Sequence, residues 1–182
     1  MSNKNKRYWW LISMVTENDF RVGAEIGCAN GATTGRLLRY CRKLKLIAVD
    51  KWEKVDACPE AGEMGGGLGC ESWDPVNGFK RFHSQTHANR DRLTVLRGDS
   101  SEMAKEVKDG SLDFVFIDAD HRYPAVLKDM AAWVPKLKTG GILCGHDIHL
   151  LGVRRAVEEK LRQYDDVGID HCWKCLKEDY VH

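Results

Sequence analysis

The chain has 182 residues, with 28 Lys and Arg against 27 Asp and Glu, for a formal charge of +1. That length suits one domain with a substantial core, and the charge balance predicts no broad attraction to nucleic acid or to an acidic membrane surface. No apolar stretch reaches the length of a bilayer span, and the seven cysteines are expected to be reduced thiols of a cytoplasmic protein.

Residues 1–19 read as a helical extension. The stretch MSNKNKRYWWLISMV begins basic and turns apolar, as a signal peptide would. Its apolar run is interrupted by Ser13, however, and ends in Thr-Glu-Asn-Asp without a small-residue cleavage pattern. An amphipathic helix would bury Tyr8, Trp9, Leu11, Ile12 and Met14, and Tyr8-Trp9-Trp10 is a candidate contact for a homodimer. The short apolar run over 22–26 predicts a strand. Glu25-x-Gly27-x-x-x-Gly31-x-Thr33 then predicts a glycine turn into a helix carrying Leu37, Leu38 and Cys41.

Further strands are predicted over 45–49, 93–97, 112–117 and 141–145, with a terminal strand near 172–177. The continuous run Phe114-Val115-Phe116-Ile117 is that of a central parallel strand covered on both faces. Pro124 is placed to open a helix bearing Val126, Leu127, Met130 and Trp133. Gly140-Gly141 resets the chain into the next strand, and a helix follows over 153–163. This alternation predicts a doubly wound α/β sheet, with 1–182 as a single domain.

The connection 51–78 holds Trp52, Cys58, Cys70, Trp73 and the cluster GEMGGGLG. Connections of that length are either functional lids or disordered. Following directly on Asp50, it is a candidate lid in which Trp52 and Trp73 would wall an acceptor. Among the cysteines, Cys28, Cys41 and Cys144 read as core residues. Cys172-x-x-Cys175 allows zinc or a plain terminal strand whose residues three apart face opposite sides, and the absence of a second closely spaced pair favours the strand.

In such sheets ligands bind beyond the carboxyl ends of the strands, and there the chain places Glu25, Asp50, Asp99, Asp118 and Asp147. The glycine turn lacks the Gly-Lys-Ser/Thr of a P-loop and the G-x-G-x-x-G spacing of nicotinamide folds. An acid two residues before the first glycine suits a cationic ligand, which points to S-adenosylmethionine. A carboxylate at Asp50 can accept both ribose hydroxyls. Asp99 and Ser100 can reach an adenine edge, although Asp99 is equally placed to cap the helical run that follows.

With these stretches in view (VGAEIGCANGATTG, LIAVDKW, VLRGDSSE and LDFVFIDADHRYPAVLKDMAAWVPKLKTGGILCGHD), the chain resembles the class I S-adenosylmethionine-dependent methyltransferases. The last stretch is similar to the branch of small-molecule O-methyltransferases of the catechol, caffeoyl-coenzyme A and macrolide-sugar types. The resemblance covers roughly residues 20–150. It implies a mostly parallel seven-stranded sheet with an antiparallel last strand.

It further implies a cofactor site of Glu25, Gly27, Cys28, Gly31, Thr33, Asp50, Lys51, Asp99, Ser100 and Asp118. A magnesium-like divalent cation would sit on Asp118 and Asp147, with His146 where the branch carries an acid or asparagine. His121 would stand where catechol-type members carry a catalytic lysine, with His146 as a second base. The expected reaction is in-line methyl transfer to a small hydroxylated acceptor. The alternative is a cofactor-binding module without transfer activity, serving as a sensor or partner subunit.

Overall fold

Every strand expected from the apolar runs is present in the computed structural model, which describes residues 6–54 and 74–181. The strands are β1 (Val22–Ile26), β2 (Lys45–Asp50), β3 (Leu93–Arg97), β4 (Leu112–Ile117), β5 (Leu137–Gly145), β6 (Asp165–Asp166) and β7 (Trp173–Leu176). They form a seven-stranded sheet in the order β3-β2-β1-β4-β5-β7-β6. β1 to β5 pair in parallel, and β7 runs antiparallel to β5. The edge strand β6 pairs antiparallel with β7. Its two aspartates carry no apolar pattern, which is why no strand was predicted there.

The helices are α1 (Arg7–Glu17), α2 (Ala32–Tyr40), α3 (Pro75–Thr86), α4 (Ser100–Met103), α5 (Tyr123–Trp133) and α6 (Leu151–Lys160). None is long and apolar enough to cross a membrane among the described residues. Strand alternation sorts the core into two layers. Phe114 and Phe116 of β4 pack with Leu11, Met14 and Val15 of α1 and Leu37 and Leu38 of α2. Val115 and Ile117 point the other way, into Val126, Met130 and Trp133 of α5 and Val153, Ala156 and Val157 of α6. The same alternation separates Cys172, in the first layer, from Cys175, in the second. The two thiols therefore cannot share a metal, as the terminal-strand reading requires.

Two boundaries differ from expectation by three residues or more. β5 begins at Leu137, because the chain pairs there with Leu112 before an irregularity that ends at the Phe114–Ile142 pair. α6 ends at Lys160, where Leu161 becomes extended and bridges to Tyr180 while staying buried. The aromatic triplet of α1 is engaged within the chain. Tyr8 lies under Arg36 at 4.3 Å, Trp9 packs on Tyr40 at 5.0 Å, and Trp10 joins the first core layer.

Gly23 in β1 lies opposite Phe114, and a Cβ there would fall 2.2 Å from the ring. Gly23→Ala is expected to destabilise the protein by about 1–3 kcal/mol through overpacking, read as a lower urea midpoint. An unchanged midpoint would mean that the ring has room to move.

Candidate active site

The sheet reverses its winding between β1 and β4, and the two strands open there into the crevice where such folds bind ligands. β1 leaves the sheet at Gly27, whose φ is 88°. A Cβ at this position would lie 2.2 Å from the carbonyl oxygen of Asp118, so only glycine lets the two strand ends close up. Gly31, also left-handed, precedes the first turn of α2.

Alternation along β1 sends Glu25 towards α2, since Ala24 and Ile26 belong to the opposite layer. Its carboxyl is 2% exposed and accepts a hydrogen bond from Thr34 Oγ1 at 2.6 Å. Burial lifts its pKa to about 8, against the opposing pull of Thr34. Cys28 tucks its thiol into the core, donating to the Glu25 and Val49 carbonyls, so it can meet a ligand only through its backbone.

Asp50 at the end of β2 ties two turns together. Its Oδ2 accepts from the Ala29 N–H and its Oδ1 from the Trp52 N–H, both at 2.8 Å. The Trp52 indole donates back to the Ala29 carbonyl at 2.7 Å. Trp52 is buried against Phe79 and Phe82 of α3, so it braces the turn from below and does not wall an acceptor pocket. Trp73, Cys58, Cys70 and the glycine cluster of the expected lid lie outside the described residues. Positions 75–78 form the first turn of α3.

Asp99 does cap α4, accepting from the Ser101 N–H and hydroxyl, and it pairs with Lys51 at 2.9 Å and Lys128 at 3.1 Å. The Ser101 hydrogen bond and these lysines hold its carboxyl well below the usual range. Ser100 Oγ donates to Asp129 at 2.6 Å and accepts from the Trp133 indole at 2.9 Å. Burial lifts Asp129 to about 6, against its Ser100 hydrogen bond.

On the β4–β5 side, the loops after the strands bring Asp118, His121, His146 and Asp147 together. His121 Nε2 and His146 Nδ1 each lie 2.9 Å from Asp147 Oδ2. Both nitrogens are buried without a well-aligned hydrogen bond among the described residues. Burial opposes charge on His146, but Asp118 and Asp147 outweigh it and lift the imidazole to about 9. His121 is raised by Asp147 against the same opposition, and the two imidazoles hold Asp147 far below the carboxylate range despite its burial.

One ligand atom each from Asp118, His121 and Asp147 can be chosen so that all lie within 4.8 Å of one another. His121 stands in this converging trio, whereas the resemblance implied His146 beside Asp118 and Asp147. His146 is wedged behind it, between Asp118 at 3.4 Å and the Arg7 guanidinium at 3.4 Å. Neighbouring ligands of a small divalent ion with bonds of about 2.1 Å lie roughly 3 Å apart, so an unaligned 2.9 Å contact between His121 and Asp147 fits such a centre.

Two residues of the cluster were not expected from the sequence. Arg7 of α1 pairs with Asp118 at 3.1 Å, and its backbone N–H donates to Asp170 at 3.0 Å. Arg7, Glu25, Gly27, Asn30, Thr33, Asp118 and His121 all line one cleft of about 190 Å³. Nothing local marks either residue. Arg7 reads as part of a basic lead-in to a helix, and Asp170 lies in an unpatterned connection.

The family pattern described as a methyltransferase domain matches residues 24–148, most of the chain, and the chain belongs to that family. An uncharacterized protein of Sinorhizobium fredii, y4gI, is 30% identical over 101 residues. That match covers 56% of this chain, and the chain spans about a tenth of the length of this curated relative. Among solved structures, the cofactor-bound Rv0187 from MTB superposes with a TM-score of 0.70 at 15% identity, covering 98% of this chain and 82% of that one. A methyltransferase from Geobacter sulfurreducens gives 0.65 at 15% identity over 93% and 76% of the two chains. The O-methyltransferase NovP gives 0.60 at 15% identity over 91% and 75%. At these identities the likeness establishes the fold.

Ala29 is a β-carbon-bearing residue at φ 44°, held there by its bonds to Asp50 and Trp52. The left-handed conformation costs about 1–2 kcal/mol, of which glycine would return all but the roughly 0.4–1 kcal/mol of added unfolded-state entropy. Ala29→Gly is therefore expected to stabilise the protein by about 1 kcal/mol in chemical denaturation. A loss of stability would show that the methyl group packs more than it strains.

Proposed function

We propose that this chain transfers a methyl group from S-adenosylmethionine to a hydroxyl of a small-molecule acceptor. The observation that carries the reading is the shared cleft, whose lining joins a buried acid beneath a glycine turn to Asp118 and His121, two members of the trio completed by Asp147. Glu25 suits the cofactor's ammonium, because a buried carboxyl whose pKa is raised by burial despite the nearby Arg7 gains much from an incoming cation. The cleft is smaller than a whole-ligand pocket of about 300–1,000 Å³, so it suits the amino-acid end of the cofactor. The ribose would lie at Asp50, which keeps lone pairs free beyond its two backbone bonds, and the adenine beside Asp99 and Ser100.

Methyl transfer is an in-line displacement at a sulfonium carbon, and holding the acceptor oxygen opposite the leaving sulfur supplies much of the rate. Glu25, Asp50 and the turn between them fix the donor on rigid strand ends. Asp118 and His121 line the same cleft, and together with Asp147 they are the residues that would hold a divalent cation. That cation, when bound, supplies positive charge that lowers the pKa of an acceptor hydroxyl. A second reading, in which His121 takes the acceptor's proton with Asp147 orienting it, is favoured by their 2.9 Å approach.

Two measurements test this. Calorimetry with S-adenosylhomocysteine should show binding, and labelled S-adenosylmethionine should pass its methyl group to members of a panel of catechols, other phenols and sugar hydroxyls. His121→Ala should lower turnover about 10²–10⁴-fold without loss of cofactor affinity. Equal loss of both would sink the assignment of His121. Abolition of transfer by a chelator selects the metal reading, and indifference to it selects the base. Binding with no transfer to any acceptor would leave the chain a cofactor-binding module.

Glu25 makes a separate prediction. Its pKa in the free protein is raised to about 8, so it is largely protonated at pH 6–7 and must lose that proton to pair with an ammonium. Cofactor affinity should thus rise with pH towards about 8 and level off above it. Calorimetry at pH 6.5 in two buffers of different ionisation enthalpy should reveal proton release that Glu25→Gln abolishes. Equal heats in the two buffers would overturn it.

A further inference from the structure

We propose that Arg7 holds the α-carboxylate of the cofactor, which makes α1 one wall of the cofactor site. The proposal rests on reading the cleft as an S-adenosylmethionine site. The amino-acid end of that cofactor carries both an ammonium and a carboxylate. Glu25 answers the first, and the second would otherwise enter a cleft that already holds Glu25 and Asp118. Arg7 is the guanidinium among the described residues lining it.

The surroundings of Arg7 support the assignment. Its charge lies within the influence of Asp118, Glu25, Asp170 and Asp147, a group of carboxylates at the strand ends and in the connection before β7. One terminal nitrogen reaches Asp118 at 3.1 Å, and the other approaches His146 at 3.4 Å and Asp170 at 3.9 Å. Its Nε is buried and has no hydrogen-bond partner among the described residues. The backbone N–H of Arg7 is anchored on Asp170 at 3.0 Å, so the first turn of α1 is pinned over the cleft. A planar fork with a spare donor, fixed at its base, is suited to a bidentate carboxylate in a way that a lysine ammonium is not.

The proposal makes a chemical distinction that a merely structural Arg7 would not. Binding of S-adenosylhomocysteine and of its decarboxylated analogue would be measured by calorimetry on the wild type, Arg7→Ala and Arg7→Lys. The wild type should prefer the carboxylated ligand. Arg7→Ala should weaken it by about 10–100-fold, the range for a charge-assisted hydrogen-bonded pair, while leaving the decarboxylated analogue unaffected. Arg7→Lys should fall between. If Arg7→Ala weakens both ligands equally and keeps the preference, Arg7 serves only to position α1 and the proposal is overturned. If the preference survives with no loss of affinity, it is likewise overturned, while the cofactor site stands. If S-adenosylhomocysteine does not bind the wild type at all, the reading of the cleft fails and this proposal with it.

Discussion

The crowding of carboxylates at one edge of the sheet is the constraint around which the rest is arranged. Parallel strands all deliver their carboxyl ends to the same side, and here Glu25, Asp118 and Asp147 at those ends, with Asp170 from the connection before β7, lie around the Arg7 guanidinium. Charges of one sign cannot be buried together without compensation. Three kinds are present. Burial raises the pKa of Glu25 and so favours its neutral form, Asp147 lies against two imidazoles, and Asp118 and Asp170 take Arg7. Each of these is a substitute for a cation, and each can yield to one. A sulfonium, an ammonium or a divalent ion would enter a site where much of the electrostatic work of binding is already arranged.

Backbone strain is concentrated along the same edge. Of the non-glycine described residues with positive φ, Ala29 lines the cleft, Trp52 lies in the turn bonded to it, Asp147 and Asp170 lie against His146, His171 adjoins Asp170, and Asp19 lies elsewhere. Aspartates tolerate the left-handed region, but alanine and tryptophan do so only when the surroundings hold them. At Ala29 and Trp52 the holding group is Asp50, which accepts a backbone bond from each. Asp50 therefore has a task in the fold as well as any it has with a ribose. The same double duty holds for Asp99, which caps α4 while pairing with two lysines.

Much of this was legible in the sequence because it is written in local patterns. The strand runs, the glycine turn and the carboxylates at strand ends follow from alternation and spacing, and the structure places Glu25, Asp50, Asp118 and Asp147 at the strand ends where those patterns put them. What escaped depends on distance. Arg7 and Asp118 are far apart in the chain, and no periodicity relates a helix-start arginine to a loop aspartate. β6 escaped because its pairing is supplied by β7 and not by any propensity of two aspartates. Trp52 reads as a pocket wall because an aromatic beside a strand end looks the same in sequence whether it faces a ligand or the core. Its indole hydrogen bond to Ala29 decides the matter.

The different depths of the two histidines follow from backbone geometry. His146 directly follows β5, and its N–H still bonds to the Ile117 carbonyl, so its ring is held deep between Asp118 and Arg7. His121 lies beyond β4 in a loop that turns back over the cleft, which leaves its imidazole at the lining. The deep histidine thus organises charge while the shallow one meets whatever enters. Arg7 joins the two sides of the site, since it touches Asp118 and lines the same cleft as Glu25. If Arg7 takes a cofactor carboxylate and Asp118 a cation, an anion that draws Arg7 away would free Asp118 for the cation, and a cation at Asp118 would free Arg7 for the anion. Linkage would make these two effects equal in free energy, so that occupancy of one half would favour occupancy of the other.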